Sequence, residues 1–431
     1  MRYLVVFILA AGTVLAQPLN LTLKDAVNLA LKQNPFVVLA NLDVAQSQQD
    51  RAIARAGLLP QAGATLGESV HRLNINTALG TSIPGFPQHV GPYEVFQTGV
   101  QFSAPVFDLT LWRRYRAAQS GITAAQARES AAREDAVVLV VSQYLGSQRA
   151  AAEVDAAQSR VDLAQALFNQ ASDLQKNGAG TGIDTLRANV QLQNEKQRLI
   201  AARTQLDTSL FALARLLAID PHRQVRLADQ PSFFETPATA TGRTLEEAWA
   251  ARPELRQIAA QEQQARLEAQ AARDERLPKV SAGGAWLEQG LTPATVIPVY
   301  QYQASLDVPI FTGGRIQAAE AKAGIALRQL AQQEQDVRNR IAQEVKTAIA
   351  QLESARSEVD VANLGVKLAR DEVDQARDRF QAGVANNIEV ITAQDELARA
   401  SDNQIAALYR YNQARADLAH ATGEMETLYA R

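Results

Sequence analysis

The chain contains no cysteine. That excludes disulfides, and it excludes a lipidated cysteine at a processed N-terminus, so any membrane attachment has to come from the fold itself. Aromatics make up only 6% of the 431 residues, with three Trp, which is sparse for a large globular core. Charge is nearly balanced at −3 and basic runs stop at Arg113-Arg114, so there is no electrostatic footprint for nucleic acid. Beyond the N-terminus no stretch is apolar enough and long enough to be a transmembrane helix. Catalytic constellations are missing too. The four histidines, His71, His89, His222 and His420, are scattered. His71 and His89 flank a loop and read as polar loop residues rather than metal ligands. Ser130 and Ser172 lie in helical stretches without a nucleophile elbow. Gly313-Gly314 lacks the further glycine and the lysine of a phosphate loop. No enzyme activity, metal or cofactor is expected.

What is present is repetition. Met1 to Ala16 has a positive start at Arg2, an apolar run and a small-residue site before Gln17, and reads as a signal peptide (1–16). The remainder is written twice. Val308-Pro309-Ile310-Phe311 before Gly313-Gly314-Arg315 echoes Ala104-Pro105-Val106-Phe107 before Trp112-Arg113. One copy covers 17–220 and the other 244–431, with a linker over 221–243. Each opens on a short amphipathic helix stopped by proline, at Asn34-Pro35 and Arg252-Pro253, because the residue before proline is driven out of the helical region. A helix of about six turns follows, to Leu59-Pro60 and Leu277-Pro278.

Strands are expected at about 61–76 and 93–104, and at about 279–289 and 299–309. Gln301, Gln303, Ser305 and Asp307 alternate with Tyr300, Tyr302, Ala304, Leu306 and Val308, which is strict period two with one polar and one apolar face. Gln97, Gly99, Gln101 and Ser103 repeat the pattern against Phe96, Thr98, Val100 and Phe102. Polar-in, apolar-out alternation with tyrosines near a loop end suits a membrane barrel. Four strands cannot close one, whereas three chains would supply about twelve.

Long helices are expected at about 108–177 and 312–382, each roughly 100 Å at 1.5 Å per residue. Return helices follow at about 183–219 and 388–422. Val345, Leu352, Val359, Val366, Val373 and Phe380 recur by sevens, as do Ala348, Ala355, Ala362, Ala369, Ala376 and Gly383. Ala150, Ala157, Ala164, Ala171 and Gly178 repeat the small row. This is a heptad seam with alanine in one row, which lets helices pack closely in a tubular wall. Gly178 and Gly383 occupy helix C-cap positions. Thr181 with Asp184, and Asn386 with Glu389, have capping-box spacing. An acid three residues into a helix stabilises its start whatever else it does.

Leu21-Thr22-Leu23, Ala26, Asn34-Pro35, Leu58-Leu59-Pro60-Gln61, Val308 to Arg315, and the turn holding Gly383 and Glu389 together resemble the TolC-like outer-membrane efflux protein family. The resemblance covers essentially the whole mature chain. It implies an α+β membrane protein of the outer membrane: a homotrimer with a twelve-stranded β-barrel continuous with a twelve-helix α-barrel. It implies a passive exit duct that works with a periplasmic adaptor protein and an inner-membrane pump of RND, ABC or related type. It further implies that Asp184, Phe380, Glu389 and Thr392 belong to a periplasmic gate, with the adaptor meeting the tip turns at Gly178, Thr181, Gly383, Val384 and Asn386. Some relatives carry arginine at the Ala385 position and tyrosine at the Phe380 position. Alanine and phenylalanine cannot form the same hydrogen bonds or ion pair. The alternatives are a periplasmic coiled-coil scaffold or adaptor with a small β-domain, and the same duct serving protein secretion.

Overall fold

The computed structural model describes residues 19–229 and 245–430, apart from 76, 78, 79, 82, 83, 86 and 179. The signal peptide and most of the 221–243 linker lie outside the described residues. In chain order the elements are β1 (Leu19–Leu21), α1 (Leu23–Gln33), α2 (Pro35–Ala56), β2 (Gln61–Asn74), β3 (His89–Phe107), α3 (Leu109–Lys176), α4 (Gly182–Leu216), β4 (Val225–Leu227), α5 (Leu245–Ala251), α6 (Pro253–Asp274), β5 (Lys279–Gly290), β6 (Ile297–Asp307), α7 (Arg315–Gln381), α8 (Asn387–Ala421) and α9 (Met425–Tyr429). They form two compact units. One holds residues up to Leu42, Arg128–Leu255 and Asp336–Arg431, and the other Asp43–Ala127 and Arg256–Gln335. Both copies of the repeat contribute to each unit.

The first unit is helical. α1 starts on a capping box, with the Thr22 hydroxyl accepting from the Asp25 amide, and it buries Ala26, Val27 and Ala30. Its end shows why the residue before proline matters. Asn34 is fully buried, and its Nδ2 donates to the Leu216 carbonyl in the last turn of α4 at 2.8 Å. In the second copy Arg252 takes the same place, donating from Nη1 to the His420 carbonyl near the end of α8 at 2.9 Å. Each pre-proline side chain donates to a carbonyl at the end of its own return helix: the Leu216 carbonyl is left over by the helix ladder, whereas the His420 carbonyl also accepts from the Gly423 amide at 2.9 Å. The charge on Arg252 is balanced by Glu254 at 2.7 Å and Glu344 at 3.0 Å. Within the described part of the expected linker, β4 pairs in parallel with β1. Asp229 follows it, and its carboxylate accepts from the Leu23 amide and the Tyr144 hydroxyl. These local anchors were not anticipated from composition.

The heptad rows form the core between the long helices. Val345, Leu352, Val359, Val366 and Val373 are buried, as are Ala348, Ala355, Ala369 and Ala376, and Ala150, Ala157, Ala164 and Ala171 in the first copy.

The second unit carries a four-stranded antiparallel sheet ordered β2-β3-β5-β6. The two hairpins meet through β3 and β5, one from each copy. Strand limits differ from expectation mainly in β3, which is longer at both ends, and in β6, which is shifted two residues toward the N-terminus. β3 begins at His89 inside the expected loop, because Val90 and His89 find partners in Leu73 and Asn74 beyond an irregularity at His71 and Leu73. His71 and His89 therefore lie on strands, and His71 hydrogen-bonds Ser69 at 2.8 Å. β6 ends at Asp307, whose partner Lys279 is the first residue of β5. Val308 to Phe311 has no strand to pair with and Pro309 has no N–H to offer; Ile310 and Phe311 are about nine-tenths exposed. Gly313 and Gly314 have φ of 60° and 84°, so this pair supplies the left-handed backbone that starts α7. Arg315 then reaches Glu275 at 2.6 Å, and Arg114 meets the same carboxylate group at 3.2 Å.

Register fixes the two faces of the sheet. Gln61, Ser103, Gly283 and Gln303 share one row across the strands, and Gly63, Gln101, Ala285 and Gln301 the next on the same face. The opposite face carries Ala64, Val100, Trp286 and Tyr300 in one row and Ala62, Phe102, Gly284 and Tyr302 in the next. Tyr302 lies between Phe102 at 6.3 Å and Tyr300 at 5.9 Å. Among the described residues nothing covers this apolar face: Leu66 is 74% exposed, Tyr300 69% and Leu306 65%.

Candidate functional site: the paired helix tips

The turns joining α3 to α4 and α7 to α8, with the helix ends that flank them, hold all nine candidate residues. The first long helix stops at Gly178 (φ 73°) and the second at Gly383 (φ 72°), a conformation that glycine adopts without strain. Around Gly383 the Schellman pattern is complete, with the Gly383 amide donating to the Phe380 carbonyl and the Val384 amide to the Arg379 carbonyl, both at 3.1 Å. The Gly178 amide donates to the Gln175 carbonyl at 3.0 Å, and the Gly180 amide reaches back to Leu174.

The return helices start differently. Thr181 caps α4, accepting from the Asp184 amide, and its hydroxyl donates to the Asp184 carboxylate. Asp184 is therefore half-buried and engaged in a cap. Asn386 caps α8 by accepting from the Ile388 amide at 3.0 Å. The capping box expected between Asn386 and Glu389 does not form. The shorter asparagine reaches the second amide of the helix, and the Glu389 carboxylate is taken by Arg379 at 3.2 Å. With Arg379 and Glu389 58% and 48% exposed, that ion pair is worth less than about 1 kcal/mol. Thr392 is exposed on the first turns of α8. Phe380 is half-buried and packs on the cluster of Leu167, Ala171, Ala188, Val373, Ala376, Val390 and Ala393, which draws on all four long helices.

One residue that spacing did not single out joins the two turns. Asn387 is fully buried, and its Nδ2 donates to the Asp184 carbonyl at 3.0 Å, 203 positions away in sequence. Its Oδ1 is buried without a hydrogen-bond partner. The only sequence signal was a second asparagine directly after a capping asparagine, which a turn explains equally well. Asp184 and Glu389 thus do not act as a pair: each carboxylate is held by its own hairpin, and Asn387 is the polar bridge.

The sequence matches the outer membrane efflux protein family over residues 26–218 and 244–424. It is 26% identical over 316 residues to the alkaline protease secretion protein AprF of Pseudomonas aeruginosa, covering 70% of this chain and 64% of that protein. It is 25% identical over 301 residues to the pyoverdine export outer membrane protein OpmQ of the same organism, covering 68% of this chain and 60% of that protein. The matched stretches thus span a little under two thirds of these relatives. The Campylobacter jejuni CmeC outer membrane channel superposes with a TM-score of 0.81 at 20% identity, covering 93% of this chain and 85% of that one. The chain belongs to the outer membrane efflux protein family and has the fold of its outer-membrane channels.

Proposed function

We propose that three copies of this chain form a passive exit duct in the outer membrane. The observation that carries this reading is the unpartnered sheet. Its apolar face is exposed, and its edge strands β2 and β6 have no outer neighbour among the described residues. Long open edges and a bare apolar face are unstable in water. Lipid covers the face, and joining β6 of one copy to β2 of the next closes the edges. Three four-stranded sheets then give twelve strands, an even number within the range of such barrels. The amide- and glycine-rich face lines the lumen. Exposed apolar residues of α4 (Ile183, Leu186, Val190, Ile200, Phe211) and of α7 (Val361, Leu364, Leu368) are covered by neighbouring copies on this reading.

In this reading the tips form the periplasmic entrance, with Asp184, Phe380, Glu389 and Thr392 as gate residues. The turns at Gly178, Thr181, Gly383, Val384 and Asn386 meet a periplasmic adaptor. Energy and cargo choice come from an inner-membrane pump of RND, ABC or related type. Relatives whose names refer to protease secretion and to pyoverdine export match this chain in sequence to a similar degree, so the duct is read as unselective for cargo class. Fractionation tests the reading. A band that runs as a trimer without boiling and as a monomer after it, from outer-membrane fractions, supports the duct. Recovery in the soluble periplasmic fraction refutes it and favours a scaffold.

A further inference from the structure

Arginine gathers at the end of the sheet where β3 and β6 stop and β2 and β5 start. The eleven residues outside each strand at that end, 50–60, 108–118, 268–278 and 308–318, hold eight Arg against five Asp or Glu, whereas the whole chain carries −3. Ion pairs knit part of this collar: Arg113 meets Asp274 at 3.2 Å and Lys279 meets Asp108 at 3.3 Å. They do not neutralise it. Glu275 is shared by two cations, Arg315 at 2.6 Å and Arg114 at 3.2 Å, so this triad keeps a net positive charge. Each guanidinium has several N–H donors and spends one nitrogen on the carboxylate; the two side chains stay 64% and 58% exposed. A second basic group surrounds Tyr115. The hydrogen bond that Arg51 donates, with the fields of Arg51, Arg55 and Arg116, holds this phenol below its usual range.

Large apolar side chains stand bare in the same stretches. Ile310 and Phe311 precede Arg315, and Phe107 and Trp112 precede Arg114; all four are exposed. Val308 and Ile310 continue in sequence the alternation that sets Leu306 on the apolar face. Bare aromatics beside arginine are unfavourable in water, but they suit the boundary where acyl chains meet headgroups. The guanidinium adds a planar fork that fits phosphate. We infer that this collar binds anionic phospholipid of the leaflet nearest the helices, with the lipid phosphate on Arg114 and Arg315 and the acyl chains against Phe311 and Trp112. The inference rests on the reading of the sheet's apolar face as lipid-facing, and it extends that face to the headgroup level. A zwitterionic lipid brings its own ammonium to the same place, which offsets the attraction, so the preference is for net negative headgroups. With no cysteine to carry an acyl anchor, the chain holds its depth in the bilayer through these side chains.

Trp112 reports on the site. Trp249→Phe with Trp286→Phe leaves it as the one tryptophan of the full-length protein, which is reconstituted in phosphatidylcholine bilayers containing chain-brominated phosphatidylglycerol or chain-brominated phosphatidylcholine. Bromine quenches a nearby indole, so quenching reads lipid occupancy. Phosphatidylglycerol should be favoured about fivefold, the effect of one net charge at a lipid surface. Arg114→Gln with Arg315→Gln should bring the two lipids level. Glu275→Gln, which removes the competing carboxylate, should raise the preference, and it alone decides if the double arginine variant fails to assemble. Excess inorganic phosphate, set against chloride at equal ionic strength, should leave the preference unchanged. Equal quenching by the two lipids, a preference that survives loss of both arginines, one that Glu275→Gln does not raise, or one that inorganic phosphate abolishes each overturns the assignment. Equal quenching leaves the duct reading standing, whereas no quenching by either lipid overturns both, so the two failures are told apart.

Discussion

Placing arginine on the two faces of β6 separates a lipid-facing surface from a lumen surface within a single dipeptide. Ala304 and Gln303 are neighbours, both exposed in the isolated chain. Register puts Ala304 on the apolar face beside Ala282, and Gln303 on the polar face beside Gly283. From Pro298 to Leu306 the outward positions of β6 are apolar or aromatic. At ~3.4 Å per residue this band runs about 27 Å along the strand, or about 20 Å in height once tilted as barrel strands are. Ala304 lies one row from its middle. Arginine near the midplane of a barrel's lipid face costs about 2–4 kcal/mol, which at ~1.4 kcal/mol per decade is roughly 30- to 1,000-fold in the folding equilibrium of each copy. On the duct reading three copies share the barrel, and independent costs then add to about 6–12 kcal/mol. Gln303→Arg meets water and should stay within about 0.5 kcal/mol. The assay is urea unfolding in vesicles, followed by loss of the unboiled trimer band. Equal loss for both variants, or greater loss for Gln303→Arg, would refute the assignment of faces.

Other perturbations bear on the helical unit. Asn387→Ala removes the donor to the Asp184 carbonyl and should cost about 1–2 kcal/mol, read as faster hydrogen exchange in the first turn of α4 and, on the duct reading, a higher open probability in planar bilayers. Glu389→Gln should leave stability unchanged, since its partner Arg379 is exposed, yet lower cation preference in single-channel recordings; unchanged preference removes Glu389 from the entrance. Arg252→Met takes the cation from Glu254 and leaves Glu344 only Arg340; with both acids partly exposed it should cost about 2–3 kcal/mol, against about 1–2 kcal/mol for Asn34→Ala, with protection lost at the ends of α8 and α4 respectively. Burial holds the Glu134 carboxyl above the usual carboxylate range, against the pull of the Met425 and Glu426 amides that it accepts. The folded chain therefore binds this proton more tightly than the unfolded one, and the group's contribution rises as pH falls through the raised value and is lost as pH rises. Glu134→Gln should flatten that pH dependence, measured as amide protection of α9 just above the ordinary glutamate range.

The parts of the fold legible in sequence were those governed by a period. Alternation along Gln301 to Asp307 and the alanine rows by sevens each report a repeated environment, and each survives in the strand register and the buried rows. Capping glycines were legible because Gly178 and Gly383 both need a left-handed backbone. What escaped were single long-range bonds. Asn387 to Asp184, Arg252 to His420 and Asp229 to Leu23 depend on where two distant segments meet, and no local pattern encodes that meeting. β6 ended early for the same reason: the alternation runs on through Val308, but pairing stops where β5 begins. Glu389 shows the opposite error. Spacing suggested a capping box, and a nearby arginine took the carboxylate instead.

The unlike caps at Asn34 and Arg252 constrain the order in which this gene could change after duplication. An amide at the first site needs only a carbonyl to receive it. A guanidinium needs that carbonyl and also Glu254 and Glu344. Arginine introduced before its acids would leave a buried cation uncompensated, and asparagine restored after them would leave Glu254 without its cation and Glu344 with Arg340 alone. The halves therefore no longer exchange residues freely at this joint. Their divergence runs through a narrow sequence of intermediates, and single-site swaps between copies here measure history as well as stability.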